Sequence, residues 1–472
     1  MNDLRHDPVE DYNFGNHDLM VDQQHPSELG HTLQSRHVTM IAFGGIIGAG
    51  LFIGASGAIT QGGPGVFLVY GACGLLVLLV MRMLGEMAAA QPGHGSFAEY
   101  SALALGPWAG FVIRWVYWYS WVFTVGAETV AGANLLHEAG LPGPVWAVGL
   151  SLVVLMTLTN MVSVRTYGEL EFWFALLKVT AIGAFIAIGV AFIVVFGPGP
   201  HHAILTMLDH GGLLPRGLGG LLAAMPVVIF SMVGSEVATI AAAESAEPAA
   251  NVAKAVRTVA LRIMVFYVCS ILVITAIVPW NSLVVGLSPF KAVLDSIGIP
   301  WGGEVISVIV LTAVLSCLNS GLYVTSRMLY ELGKNGDGPR FLQYTARNKT
   351  PMIGILIGCA AGSAAALGQF FMRQDVFTLL ASSTGDIILF IYMIIAFAEI
   401  RQRRRLEAAG VPLPLKMWLF PWLSYAVIAA IAGVLVLLAF LPEQQTTLAL
   451  SAVTVLVVFG ALWLHRTRQA HP

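Results

Sequence analysis

Charge is what this chain has least of. Only 11% of its 472 residues are Asp, Glu, Lys or Arg, and 57% are hydrophobic. The mean hydropathy is +0.79, whereas ordinary soluble domains carry about 25% charged residues. A chain so short of polar groups cannot cover a water-facing surface, which implies an integral membrane protein. The formal net charge is −2, so the clustered Lys and Arg of a nucleic-acid footprint are missing as well. Cysteine is scarce: Cys73, Cys269, Cys317 and Cys359 all fall in apolar runs without disulfide or metal-ligand spacing, and are expected as free thiols. Histidine is absent from the interiors of the long apolar runs. No HExxH, paired metal-binding cysteines or nucleophile elbow occurs, which argues against a membrane enzyme and implies no cofactor. Residues 1–37 are acidic, rich in His and Asp, and lack the basic, apolar, small-residue order of a cleaved signal. They read as a short tail.

What the chain has in abundance is apolar length. A helix needs about 20 apolar residues to cross the hydrocarbon layer, and about twelve such windows occur. They lie near 38–60, 65–88, 108–134, 143–162, 170–196, 217–242, 261–281, 302–332, 351–371, 375–399, 417–440 and 446–464. Breakers such as Gly62-Gly63-Pro64, Gly197-Pro198-Gly199-Pro200 and Gly336-Asp337-Gly338-Pro339 separate them. The expected fold is an all-α integral membrane protein with no soluble domain. With the N-terminus in the cytoplasm, one side collects seventeen of the 24 Lys and Arg, including the run Arg401 to Arg405, against Arg216, Lys291 and Arg373 on the other. Cytoplasmic loops keep such residues, so both termini are expected in the cytoplasm, with a tail over 465–472.

The first window holds an excess of glycine, with Gly44, Gly45, Gly48, Gly50 and Gly54 in a row of apolar residues. Glycine costs a helix about 1 kcal/mol relative to alanine, and a broken helix at membrane depth survives only where protein or a wet cavity shelters its backbone. This cluster reads as a hinge and the floor of a solute site. The competing reading is packing, because Gly44 with Gly48 and Gly50 with Gly54 also form small-xxx-small faces. A dinucleotide fingerprint is excluded, since the third glycine is out of register and no ribose acid follows. A second weak point, Phe230-Ser231-Met232-Val233-Gly234-Ser235-Glu236, lies in the sixth window. Two breaks five windows apart imply inverted repeats, residues 38–196 and 217–399, with broken helices 1 and 6. Helices 11 and 12 follow over 417–464.

Several strings in order resemble the amino acid permeases of the amino acid–polyamine–organocation superfamily, and within it the bacterial branch that includes 4-aminobutyrate (GABA) permeases. They are Ser35-Arg36-His37-Val38-Thr39-Met40, Gly48-Ala49-Gly50-Leu51-Phe52, Met81-Arg82-Met83-Leu84-Gly85-Glu86-Met87, Tyr167-Gly168-Glu169-Leu170-Glu171-Phe172-Trp173, Ala241-Ala242-Ala243-Glu244-Ser245 and Ser316-Cys317-Leu318-Asn319-Ser320. The similarity runs from Ser35 to about Leu464. It implies that the amides of Ala49 and Gly50 hold a substrate carboxylate, as unpaired amides at a helix N-terminus do. Carbonyls freed at Ile46, Phe230 and Val233 would take the ammonium, with Ser231 and Gly234 in the same break and the Phe230 ring covering the solute.

Ionisable groups inside the windows add to this, because each costs at least about 2.5–3.5 kcal/mol at the bilayer centre. The resemblance places Lys178 where sodium-coupled relatives of the same fold hold a cation between helices one, five and eight. It would mimic that ion when charged and release helix 1 when neutral. The alternative is a fixed structural cation. Glu236 either braces the helix-6 break or carries a proton. Glu128 matches an acid common in the branch and would attract an amine. Asp386 departs from the GABA-permease pattern and would contact substrate or pair with Arg114 or Arg327. Cys317 and Asn319 place polar atoms on the eighth helix beside the site, with Ser316 and Ser320. Arg82 and Glu86 read as an i,i+4 pair. Together these imply a secondary transporter in the cytoplasmic membrane importing a small amino acid, GABA or an α-amino acid, with the proton as coupling ion. An exchanger or facilitator, or a transporter-like nutrient sensor, is the alternative.

Overall fold

The computed structural model describes residues 47–91, 96–162, 164–196, 207–236, 248–346, 350–372 and 375–470. Among them there is no strand, and the helices follow one another with short connections. Among the described residues, eight helices are long and apolar enough to cross a membrane. Many large apolar side chains face outward, among them Val194, Leu218, Phe371 and Leu456, where lipid rather than water suits them. This is a multi-pass membrane protein.

The first window is interrupted. Helix α1 covers Ala49–Phe52 and α2 covers Gly54–Gly62, and the kink between them is at Ile53. Helix α3 (Val66–Ala90) follows, and then α4 (Phe97–Leu105), a short helix capped by the Ser96 hydroxyl on the Glu99 amide. Helix α5 runs over Pro107–Glu138, started by Gly106 at φ 107° and by a proline in its first turn, where the missing N–H costs nothing. Helices α6 (Val145–Val162) and α7 (Val164–Phe196) complete the first half.

Helix α8 (Gly217–Phe230) stops in mid-window, and a turn through Gly234 at φ 94° follows it. Pro226 inside α8 removes one donor from its ladder. Helix α9 (Pro248–Arg262) leads through a π-helical turn at Ile263–Val268 into α10 (Cys269–Ile277). A short α11 (Pro289–Ile297) then precedes α12 (Gly302–Lys334). The last four helices are α13 (Met352–Phe371), α14 (Val376–Ala408), α15 (Trp422–Ala439) and α16 (Gln445–Ala470). Helix α5 is central, packed against α12, α14 and α13, and α8 lies between α2 and α14.

Two expectations need correction here. The basic run Arg401 to Arg405 lies within the last turns of α14, which extends to Ala408, because nothing in that stretch breaks a helix. The fifth window, expected to begin near residue 170, forms a helix that starts at Val164, so Lys178 lies fourteen residues along it, roughly 21 Å by helical rise. The tail at 1–37, the loop around Pro198, and the strings at 35–40 and 241–245 lie outside the described residues.

Candidate functional site

The two interruptions meet. A Cβ built on Gly50 would lie 2.7 Å from the Cα of Ser231 and 3.1 Å from the Phe230 ring, and one on Gly54 would lie 3.1 Å from Val227. The Gly50 and Gly54 pair therefore does pack, and what it packs against is the second break. On the α8 side the backbone re-bonds locally: the Met232 amide donates to the Ile229 carbonyl (2.9 Å) and the Val233 amide to the Phe230 carbonyl (3.2 Å). The Tyr267 hydroxyl donates to the Ser231 carbonyl at 2.8 Å.

Between the breaks lies a small cavity of about 20 Å³, room for about one water and well below an open ligand site, so the two breaks are closed on each other here. Gly48 and Gly50 form one wall, Phe230, Ser231 and Val233 another, and Trp121, Thr124 and Glu128 of α5 with Cys317 of α12 the rest. Glu128 is the one acid among the described lining residues. Its carboxylate accepts the Ala49 amide on both oxygens, at 3.0 and 3.1 Å, so in this structure the amide expected to hold a substrate carboxylate is held by the protein's own acid. Gly48 has no room for a side chain, since a Cβ there would collide with Glu128 and lie 2.8 Å from Cys317.

Beside the cavity is a buried polar group of three. The Lys178 ammonium donates to the Ser316 hydroxyl at 2.8 Å. That hydroxyl lies 2.7 Å from both oxygens of Glu171, and the Lys178–Glu171 separation is 3.7 Å, with neither side chain exposed. Glu171, one residue of a string quoted above for other reasons, is thus a candidate functional residue that sequence reasoning missed. Its signal is the seven-residue spacing to Lys178, which puts both on one face of a helix.

Below the α8 break, Glu236 accepts the Gly234 amide (3.0 Å) and the Tyr117 hydroxyl (2.8 Å) on one oxygen, with the Tyr392 hydroxyl 3.4 Å from the other. Arg262 donates to the neighbouring Ser235 at 2.7 Å. These bonds satisfy the amide that the turn leaves exposed.

A family model describing amino acid permeases matches residues 37–470. The chain belongs to the amino acid permease family. It is 43% identical to a gamma-aminobutyric acid permease of Bacillus subtilis over 94% of this chain and 96% of the relative. It is likewise 43% identical to the gamma-aminobutyric acid permease of Escherichia coli, over 90% and 92%. An L-asparagine permease of Mycobacterium bovis is 35% identical over 92% of this chain and 91% of its own. The protein is therefore a transporter of amino acids and not an enzyme.

Not every expected site residue of this permease reaches the cavity. Ile46 lies outside the described residues. Asn319 turns to α6, where its side-chain oxygen accepts from Asn160 at 2.7 Å and from Thr159 at 3.2 Å. It is two positions from Cys317, hence about 200° round the helix. Asn319→Ala is expected to cost about 1–3 kcal/mol of stability by orphaning those partners and to leave KM for uptake unchanged. A tenfold rise in KM, about 1.4 kcal/mol of binding, would return Asn319 to the site.

Asp386 also lies away from the cavity lining, buried on α14. Neither expected arginine reaches it: Arg114 bonds Asp337 at 2.7 Å, and Arg327 stacks on Tyr323 at 3.3 Å. Arg82 and Glu86 do not pair with each other. Arg82 donates to the Lys416 carbonyl (2.7 and 3.0 Å) and covers the Trp418 ring, while Glu86 accepts the Met417 amide and faces Arg403 at 3.4 Å. Backbone groups in the connection ahead of α15 outcompete an i,i+4 pair worth only a few tenths of a kcal/mol.

Proposed function

We propose that this permease is a secondary active importer of a small amino acid, GABA or an α-amino acid, moving protons inward with it by alternating access. The observation that carries this reading is the junction of two interrupted helices around a small cavity, with Glu128 and the backbone of both interruptions on its walls and a buried lysine beside it. The Phe230 carbonyl, expected to be freed, accepts the Val233 amide here and has one lone pair left for an ammonium. The similarity to gamma-aminobutyric acid permeases favours GABA. A zwitterion placed there sets its carboxylate on the amides of Ala49 and Gly50 and its ammonium toward Glu128 and the carbonyls at Phe230 and Val233. Glu128 then gives up the Ala49 amide, since two carboxylates repel at one donor. The Phe230 ring closes over the solute.

The proposal includes about twelve spans, with residues 38–196 and 217–399 as inverted repeats, and helices 1 and 6 as the moving elements. The excess of Lys and Arg on one side supports a topology with both termini in the cytoplasm and the protein in the cytoplasmic membrane. Substrate shifts the population between outward-open and inward-open forms through its different contacts in each.

Uptake of radiolabelled amino acids, GABA included, by purified protein in sodium-free liposomes tests this directly. Accumulation of one solute only when an inward proton gradient is imposed is the expected result. Counterflow without accumulation would instead mean an exchanger or facilitator. Silence from folded protein would mean a sensor.

A further inference from the structure

The buried trio of Lys178, Ser316 and Glu171 has an order that matters. Lys178 Nζ and Glu171 are 3.7 Å apart, beyond hydrogen-bond reach, yet each is within 2.8 Å of the Ser316 oxygen. A serine hydroxyl has one proton and two lone pairs. An ammonium has only protons to offer, so Ser316 accepts from Lys178 and directs its own proton at Glu171. The three groups therefore form one chain of donors pointing from the lysine to the acid.

We propose that Ser316 relays the proton of Lys178 to Glu171, which makes Glu171 the residue through which Lys178 is discharged. An N–H bond of Lys178 breaks as an O–H forms on Ser316. The original O–H of Ser316 breaks as one forms on Glu171. The ion pair becomes a neutral amine and a neutral carboxylic acid, with no net charge gained or lost. That balance matters in a dry interior, where an isolated charge is costly and an ion pair repays its desolvation only with good geometry. Direct loss of the proton from Lys178 would leave the Glu171 carboxylate unpaired. Passing it to Glu171 leaves nothing charged.

Direction follows from the helix. Glu171 is seven residues nearer the start of α7 than Lys178, about 10 Å along the axis, and that start lies on the cytoplasmic side in the proposed topology. The Lys178 and Glu171 side-chain atoms are 3.7 Å apart, so the relay moves the proton one short step, onto the residue anchored nearer that side. The other ionisable groups near the trio are few. Among the described residues, α12 brings Cys317 next to Ser316, α5 brings Glu128 beyond it, the π-helical turn ahead of α10 brings Tyr267 near Cys317, and α10 contributes Cys269. Helix α6 has no ionisable residue, and α11 has Lys291 and Asp295, which pair with each other at 3.3 Å.

This inference rests on the proton-symport reading, and the test separates the two. Ser316→Ala keeps both charges and removes only the hydroxyl, so it is the first variant, with Glu171→Gln as the second. Both go into liposomes with radiolabelled GABA as probe, and each is measured for counterflow at equal pH and for accumulation under an inward proton gradient. Net symport requires Lys178 to lose its proton in each cycle, whereas exchange does not. The expected result is near wild-type counterflow with accumulation slowed about a hundredfold, the lower end of what a positioned proton-transfer group contributes. A purely structural role would lower both activities together. Equal accumulation by wild type and Ser316→Ala overturns the relay alone. Absence of proton-driven accumulation in the wild type overturns the symport reading, and the relay with it.

Discussion

Gly50→Val is expected to abolish uptake while the protein still inserts and folds. The Cβ of any residue at this position lies 2.7 Å from the Ser231 Cα, and that atom is backbone, which cannot rotate away. The two breaks must then separate. Overpacking of this kind costs about 1–3 kcal/mol, which a domain with a large buried core withstands, but the separation falls on the walls of the cavity. Gly50→Ala should be intermediate, since it adds the colliding atom without the two further methyls. Uptake per correctly inserted molecule, with thermal unfolding as the folding control, measures both. Normal uptake by Gly50→Val would mean that substrate passes elsewhere.

How far the sequence revealed this arrangement depends on what each feature rests on. Helices such as α13 and α16 were legible because apolar length is nearly the whole requirement for crossing a bilayer. The turn after Phe230 was legible because glycine marks it, as Gly234 at φ 94° shows; the first interruption lies at Ile53, within the glycine cluster but past the Ala49 and Gly50 amides where the break was expected. The short helices α4 and α11 were not, since each is nine residues long and leaves no membrane-length signal. Facing was also hidden. Cys317 and Asn319 looked alike as polar residues on one helix, and only the position of α6 separates them. The partner of Lys178 was within reach, because an acid and a lysine seven residues apart in one apolar helix share a face. Arg82 and Glu86 had the spacing of a pair, but the connection that captures both lies more than 300 residues away in the chain. No local pattern encodes that.

The Lys178–Glu171 pair also sets a stability prediction of comparable size. Removing one member of a buried ion pair leaves the other charge without its partner, at a cost of about 3–5 kcal/mol. Lys178→Met and Glu171→Leu are each expected to destabilise the protein by that amount, because both side chains are fully buried. The double variant should recover most of the loss, since apolar residues of similar volume often replace a buried pair at no net cost. Denaturant unfolding in detergent of wild type, both singles and the double gives the coupling directly. If the singles cost nothing, one of the two groups is already neutral in the wild type, and the pair is not ionic. Transport by the double variant then asks a different question. A folded double variant that still exchanges substrate but never accumulates it would show that the charges serve coupling, because the stability they supply has been replaced by apolar contact. One that accumulates normally would make the pair a structural element only, and the proton would have to be carried by a different acid, with Glu128 on the cavity wall the first to examine.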